Sequence, residues 1–269
     1  MAPRRTLNIG LLLTYNEQDV VAEMLEHNAG GVDAIFALDG STDSTTEVLL
    51  AHPKVRLVLR DADVAPGGRV RDHHRQALLD AARAEYGSGH WYTIMHGDEF
   101  FHDDPRAVAR AAGAMGAGRV NWAAMQFFLH PDDRPALGGS VQENVRWYSP
   151  FWVEVRQFRD SPRARYKAGE HGRVFPHGVG WLPYLKMPIL KHYPYRSEAQ
   201  TLARLGAMEA RGFSGTKATG GVYRERYAPE YREAQYFGGD FGVFELARQG
   251  NLLTMMARWK RLVDKSKAR

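Results

Sequence analysis

Apolar residues in the first third of the chain come in short, nearly unbroken runs, and each run stops at a cluster of polar residues. Leu7 to Thr14 is interrupted only by Asn8 and Gly10, a density suited to a strand covered on both faces of a parallel sheet. It ends at Tyr15, Asn16 and Glu17, after which Val20, Val21, Met24 and Leu25 fall on one face of a helix. Asp33 to Leu38 repeats the arrangement and ends in Asp39, Gly40, Ser41, Thr42 and Asp43, while Ser44 and Glu47 have the spacing of a helix capping box. Val55 to Arg60 predicts a third strand, followed by a loop with Pro66, Gly67 and Gly68 and a helix from about Val70 to Tyr86. Trp91 to Met95 predicts a fourth strand that runs out into His96, Gly97, Asp98 and Glu99, ahead of a helix from Pro105 to Met115. Strands alternating with helices predict an α/β domain whose central sheet is mainly parallel and flanked by helices.

Beyond residue 115 the alternation is lost. Val120 to His130 reads as a long strand, and Val145 to Arg159 and Val179 to Lys191 as mixed aromatic and charged strands broken by Pro150, Pro162, Pro176, Pro183 and Pro188. Helical patterns return over Leu202 to Arg211, Pro229 to Gln249 and Leu252 to Lys265. The expected organisation is a domain over residues 1–196, with a half over about 1–110 and a second half over 111–196, carrying a helical extension over 197–269 packed on it.

Composition narrows the chemistry. With 269 residues, 44% hydrophobic and 25% charged, the chain is ordinary globular material. No apolar run is long enough to cross a bilayer, so a cytoplasmic location is the expectation. The absence of cysteine excludes disulfides and thiolate metal sites, which leaves carboxylate, imidazole, carbonyl and water as metal ligands. A net charge of +5 is modest, and no nucleic-acid partner is expected.

The chemistry-bearing residues collect at the predicted strand ends. In an open α/β sheet the crevice beyond the carboxyl ends of the strands is where ligands bind, and Gly97 would let the backbone turn there while Asp98 and Glu99 deliver carboxylates. A pair of carboxylates suits a hard divalent cation that carries a diphosphate. The plainer reading makes Asp98 and Glu99 a turn before the next helix, and Asp43 a helix cap.

Taken in order, LLLTYNEQDVV (Leu11 to Val21), ALDGSTDST, RDHHRQALLDAA and IMHGDEFF resemble the motifs of the family 2 glycosyltransferases of GT-A fold, with a weaker echo in KHYPYRSEAQ (Lys191 to Gln200). The resemblance covers about the first 110 residues. It implies a GT-A nucleotide-diphospho-sugar transferase fold and an inverting transfer from a nucleotide-sugar donor, most simply UDP-linked, to an acceptor hydroxyl. It further implies donor-binding roles for Tyr15, stacking on the base, for Asn16 and Glu17 in the same loop, for Asp39, accepting from the base, and for His96 and Asp98. Arg71 or Arg75 could fork onto the base or the phosphates. Asp98 stands where the family has a direct metal ligand, and His192 where many members complete the metal site, for Mn2+ or Mg2+. Two departures stand out: Leu38 replaces the first Asp of the second motif and His96 the first Asp of the Asp-x-Asp motif, which weakens the case for Mg2+.

A transfer with inversion needs a general base for the acceptor hydroxyl. Glu170, among the glycines of RYKAGEHGRVFPHG, is the candidate, with Asp160 and Glu154 as rivals. The acceptor itself, whether glycan, lipid-linked or small molecule, is not specified. The alternative reading is a non-catalytic nucleotide-sugar-binding or scaffold protein on the same fold. A nucleotidyltransferase making the sugar nucleotide is disfavoured, because no Gly-rich phosphate loop with a Lys lies near the start of the chain. The stripe Leu252, Leu253, Met256, Trp259 and Val263, with Arg258, Lys260, Arg261 and Lys265 off it, reads first as a helix packed on its own domain. Its second reading is a peripheral contact of 252–265 with an anionic membrane.

Overall fold

A computed structural model describes residues 5–61, 64, 72–130, 133, 139–167, 174–210 and 235–241. In chain order the elements are β1 (Asn8–Thr14), α1 (Val21–Asn28), β2 (Ala34–Asp39), α2 (Thr45–Ala51), β3 (Val55–Arg60), α3 (Asp72–Tyr86), β4 (Trp91–His96), β5 (Glu99–Phe101) and α4 (Pro105–Ala114). They continue with β6 (Arg119–Phe128), α5 (Val141–Asn144), β7 (Trp147–Arg159), β8 (Ile189–Tyr195), α6 (Glu198–Ala210) and β9 (Gln235–Tyr236). The fold is mixed α/β. Among the described residues the strands follow the order β3-β2-β1-β4-β7-β6-β8-β5, with β9 beside β7. β1, β2, β3 and β4 pair in parallel, and β7 is antiparallel to β4 and to β9.

The described residues form two compact units, one drawn from within 5–64, 72–122 and 154–190, the other from within 123–153 and 191–241. In the first, every residue of β1 and β2 is buried. Ile9, Leu11 and Leu13, with Phe36, Leu38, Tyr92 and Ile94, meet Leu78, Leu79 and Ala82 of α3 on one face. The alternate residues Leu12, Ile35, Ala37 and Met95 are buried too. Covering both faces accounts for the unbroken apolar runs, because a strand with one wet face would alternate. In the second unit Phe127 stacks on Tyr148 at 5.4 Å and on Tyr193 at 4.6 Å, and Phe237 and Phe241 meet its ring at steep angles.

Several elements differ from expectation. No capping box forms at Ser44, whose φ of −76° and ψ of 13° lie outside the extended geometry a cap requires. Asp43 accepts instead from the Thr45 backbone N–H at 3.0 Å and its hydroxyl at 2.6 Å. The strand expected over 179–191 lies at Ile189–Tyr195, beyond Pro183 and Pro188. Residues 235–241, inside the helix expected over 229–249, hold a strand and a bend. There Gln235 and Tyr236 pair with β7, and the Phe237 N–H donates to Arg146 O at 2.8 Å while the Arg146 guanidinium donates to Phe237 O at 3.0 Å. The aromatics of that stretch join the Phe127 cluster, and Gly239, at φ +124°, would break a helix in any case. Residues 252–265 lie outside the described residues, and among those described no helix is long and apolar enough to cross a membrane.

Candidate functional site

Strand order puts β1 between β2 and β4, so the chain leaving β1 turns one way while β4 lies on the other side. Such a reversal opens a crevice at the carboxyl edge. Register sets Thr14 opposite Asp39 and Leu13 opposite His96, which brings the three polar strand ends side by side. The loops are then stitched together. The Gly40 N–H donates to Thr14 O and the Gly97 N–H to Leu13 O, each at 3.2 Å. Asn16 adopts a left-handed φ of +50°, a conformation Asn tolerates, and its backbone N–H donates to Ser41 Oγ at 2.7 Å while its Oδ1 accepts from the Thr42 N–H at 2.7 Å. The Glu17 N–H donates to Thr45 Oγ1 at 2.8 Å. Gly97 has to be glycine, since a Cβ there would run into the Glu17 carboxylate and lie 3.0 Å from Thr14 Cγ2. Asn16 and Glu17 thus tie the β1 and β2 loops together, and Tyr15, directly before them in sequence, is half-buried.

Asp39 is the hub of this edge. Its Oδ1 accepts from Thr14 Oγ1 at 3.0 Å, from the Ser41 N–H at 3.0 Å and from Ser41 Oγ at 2.5 Å. Its Oδ2 accepts from Thr46 Oγ1 and from Arg60 Nη1, each at 2.6 Å. The side chain is fully buried, so a base could reach Asp39 only if Arg60, itself half exposed, moved away. Burial by itself would raise the Asp39 pKa, but hydrogen bonds from Ser41, Thr46 and Thr14 outweigh it and hold the carboxyl below the usual carboxylate range. A depressed carboxyl contributes stability that is complete above its unfolded pKa, about 4, and lost as pH falls through the folded value. Asp39→Asn is therefore expected to unfold more easily at pH 7 yet lose less stability than the parent below about pH 4. Urea unfolding measured across that range checks this; parallel curves for the two proteins would remove Asp39 as the titrating group.

Beyond β4 a buried charge network forms within the same unit. Glu99 and Arg156 are both about 1% exposed, and Arg156 Nη2 donates to Glu99 Oε1 at 2.5 Å and lies 2.8 Å from Glu154. His96 Nδ1 lies 3.0 Å from the same Glu99 oxygen, and Arg156 Nη1 sits 3.4 Å from both ring nitrogens. Asp98, between them in sequence, is only 3% exposed. Arg75, in the first turn of α3 at this edge, is 9% exposed. Among the described residues no hydrogen-bond or ion-pair partner reaches its guanidinium. Burial lowers its pKa first of all; Arg156 lowers it further, while Tyr166, Glu154 and Glu99 oppose the shift.

Of the rivals for the general base, Asp160 is fully buried and bonded to Arg83 at 2.5 Å and 3.2 Å, a structural commitment. Glu154 is the half-buried one, at the Arg156 network. Glu170 and Arg71 lie outside the described residues. His192 is half-buried on β8 in the second unit, with its ring centroid 6.3 Å from that of Trp152. Among the described residues one set of three His or carboxylate groups could hold a metal ion, Asp61, His73 and His74, and neither Asp98 nor His192 belongs to it. A cavity of about 370 Å3 lies at the opposite, amino-terminal edge, beside Asn8, Trp91 and Arg159. Its wall is a structural cluster in which Arg106 bonds Asp33 at 2.5 Å and Val32 O at 2.8 Å. Sequence reading missed Arg60, Arg156 and the Asp61 cluster. Only the paired His73 and His74 carried a signal for the last.

No protein-family model matches the sequence, and no curated protein matches it. Among solved structures, a Bacillus anthracis protein assigned as a glucose-1-phosphate thymidylyltransferase, in complex with a sucrose, is 12% identical over 64% of this chain and 70% of its own, with a TM-score of 0.31. A likeness of that size carries no argument.

Proposed function

We propose that this chain is a glycosyltransferase of GT-A type that moves a sugar from a nucleotide-sugar donor, UDP-linked, to an acceptor hydroxyl with inversion. The observation that carries the reading is Arg75, a guanidinium nine-tenths buried at the carboxyl edge with no partner among the described residues. A guanidinium stays charged at any physiological pH, and a buried charge without an anion costs several kcal/mol, roughly, unless a ligand supplies the anion. A donor diphosphate is such an anion, and its bidentate oxygens match the fork. Tyr15 provides an aromatic face for the base, and Asn16, Glu17, Ser41 and Asp39 hold the floor of the site rigid. His96 is kept in place by Glu99 and Arg156, where it can meet the ribose or the sugar. When bound, a Mn2+ or Mg2+ ion on Asp98 would neutralise charge on the departing diphosphate. The acceptor proton goes to a carboxylate, Glu170 by the family resemblance, with Glu154 as its rival.

The deciding experiment is titration of UDP with and without Mn2+, followed by a donor hydrolysis and transfer assay. Binding with turnover supports the transferase, binding without turnover the scaffold alternative, and sugar-nucleotide formation from a sugar 1-phosphate the nucleotidyltransferase. Asp98→Asn keeps the volume of a buried side chain and is expected to remove the Mn2+-dependent part of UDP affinity, about 10- to 100-fold, with little change in melting temperature. An unaltered Mn2+ dependence would take the cation away from Asp98.

A further inference from the structure

The turn that follows β3 and the start of α3 meet at three side chains of metal-ligating type. Asp61 comes directly after Arg60, and its backbone is pinned: its N–H donates to Asp39 O at 3.1 Å and its carbonyl accepts from the Val64 N–H at 3.1 Å. Gly40 permits this approach, because a Cβ there would strike Val64 O and lie 2.8 Å from Asp61 O. His73 and His74 stand in the first turn of α3, a helix anchored by the buried Leu78 and Leu79. His74 is 3% exposed, and its Nε2 lies 2.7 Å from Asp61 Oδ2. The exposed His73 ring packs edge to face on His74, centroids 4.0 Å apart. One ligand atom from each of the three lies within 4.8 Å of the others.

We propose that Asp61, His73 and His74 bind a divalent first-row transition metal, with Zn2+ and Co2+ the best-suited ions. Two imidazoles and one carboxylate form a borderline donor set that favours Zn2+, Co2+ or Fe2+ over Mg2+, which prefers oxygen alone. Metal–ligand bonds of about 2.0–2.2 Å put ligand atoms roughly 3.4 Å apart in a tetrahedron, so the ion needs sub-ångström opening of the 2.7 Å Asp61–His74 contact and closing of the wider contacts, which lie within 4.8 Å. The site clips the end of β3 to the start of α3, across residues 62–72, and so sets the helix turn that bears Arg75. Three protein ligands leave a fourth position to water or to a further ligand. The site does not rest on the nucleotide-sugar reading, since it needs no nucleotide, and it differs from any cation at Asp98 in both donor set and ion preference.

The test uses the full chain without an affinity tag, stripped with a chelator and titrated with Zn2+ and with Co2+ in the absence of nucleotide. The expected result is one equivalent bound, a rise in melting temperature, a visible Co2+ absorption band from nitrogen ligation, and no heat from millimolar Mg2+. His74 is buried and its replacement disturbs packing, so the variants are Asp61→Asn and His73→Ala, at half-buried and exposed groups. Each is expected to weaken Zn2+ about 10- to 100-fold while its metal-free melting temperature stays near that of the parent. Asp98→Asn is expected to bind Zn2+ as the parent does. Absence of Zn2+ and Co2+ binding by the parent overturns the assignment, as does unchanged affinity in the Asp61→Asn, His73→Ala double variant.

Discussion

Arg75→Met is expected to lose UDP affinity by about 100-fold, near 2.7 kcal/mol, while the melting temperature holds steady or rises. The two effects share one cause. In the free protein the guanidinium is nine-tenths buried, and the like charge of Arg156 and the loss of water both act against it. Methionine occupies a similar volume without a charge to desolvate, and replacing a buried ion by a well-packed apolar side chain is often neutral or stabilising. With ligand bound, the same group meets phosphate in a charge-assisted hydrogen bond that methionine cannot make. A residue serving packing alone would behave the other way. Calorimetric titration with UDP beside thermal unfolding decides: a lower melting temperature with unchanged UDP affinity would make Arg75 structural and withdraw the support on which the donor site rests.

The largest loss of stability is expected from Arg156→Met, about 3–5 kcal/mol. Here the buried arginine has its partner, and removing it takes the guanidinium away from Glu99, which is 1% exposed and shares its Oε1 with His96. A carboxylate left in that position loses a 2.5 Å charge-assisted contact and gains no water in exchange. Arg75 differs from Arg156 in that no hydrogen-bond or ion-pair partner reaches it among the described residues, while Glu154 and Glu99 act on it only through their charge. The double variant Arg156→Met, Glu99→Gln is expected to recover a good part of the loss, since it removes the Glu99 charge as well. Denaturant unfolding of the single and double variants measures both. A single variant within about 0.5 kcal/mol of the parent would mean that the pair is wet in solution.

How much of this was legible beforehand depends on how far the deciding information reaches along the chain. β1, β2, β3 and β4 lie where their apolar runs predict, and Tyr15–Glu17, Asp39–Asp43 and His96–Glu99 occupy their carboxyl ends. The C-terminal half read less well. β8 lies beyond Pro188, and Tyr236 and Phe237 took a strand edge and an aromatic cluster where helical spacing suggested otherwise. Their partners, Trp147, Arg146 and Phe127, are about ninety or more residues away in the chain. Helical periodicity cannot register a competitor so distant.

The chain alone determined the alternation of strand and helix, the parallel pairing it entails and the polar character of each strand end, because burial pattern and turn chemistry act over a few residues. Tertiary structure alone decided which of those polar residues are occupied. Asp39 reads as a ligand in sequence, yet Thr14, Thr46 and Arg60 converge on it once three strands align. Glu99 acquires Arg156 from 57 positions away, and Arg75 acquires no partner among the described residues. Asp61 meets His73 and His74 only because β3 and α3 meet at the same edge. The state of a carboxylate or a guanidinium depends on its neighbours in space, and sheet order, not sequence distance, chooses those neighbours.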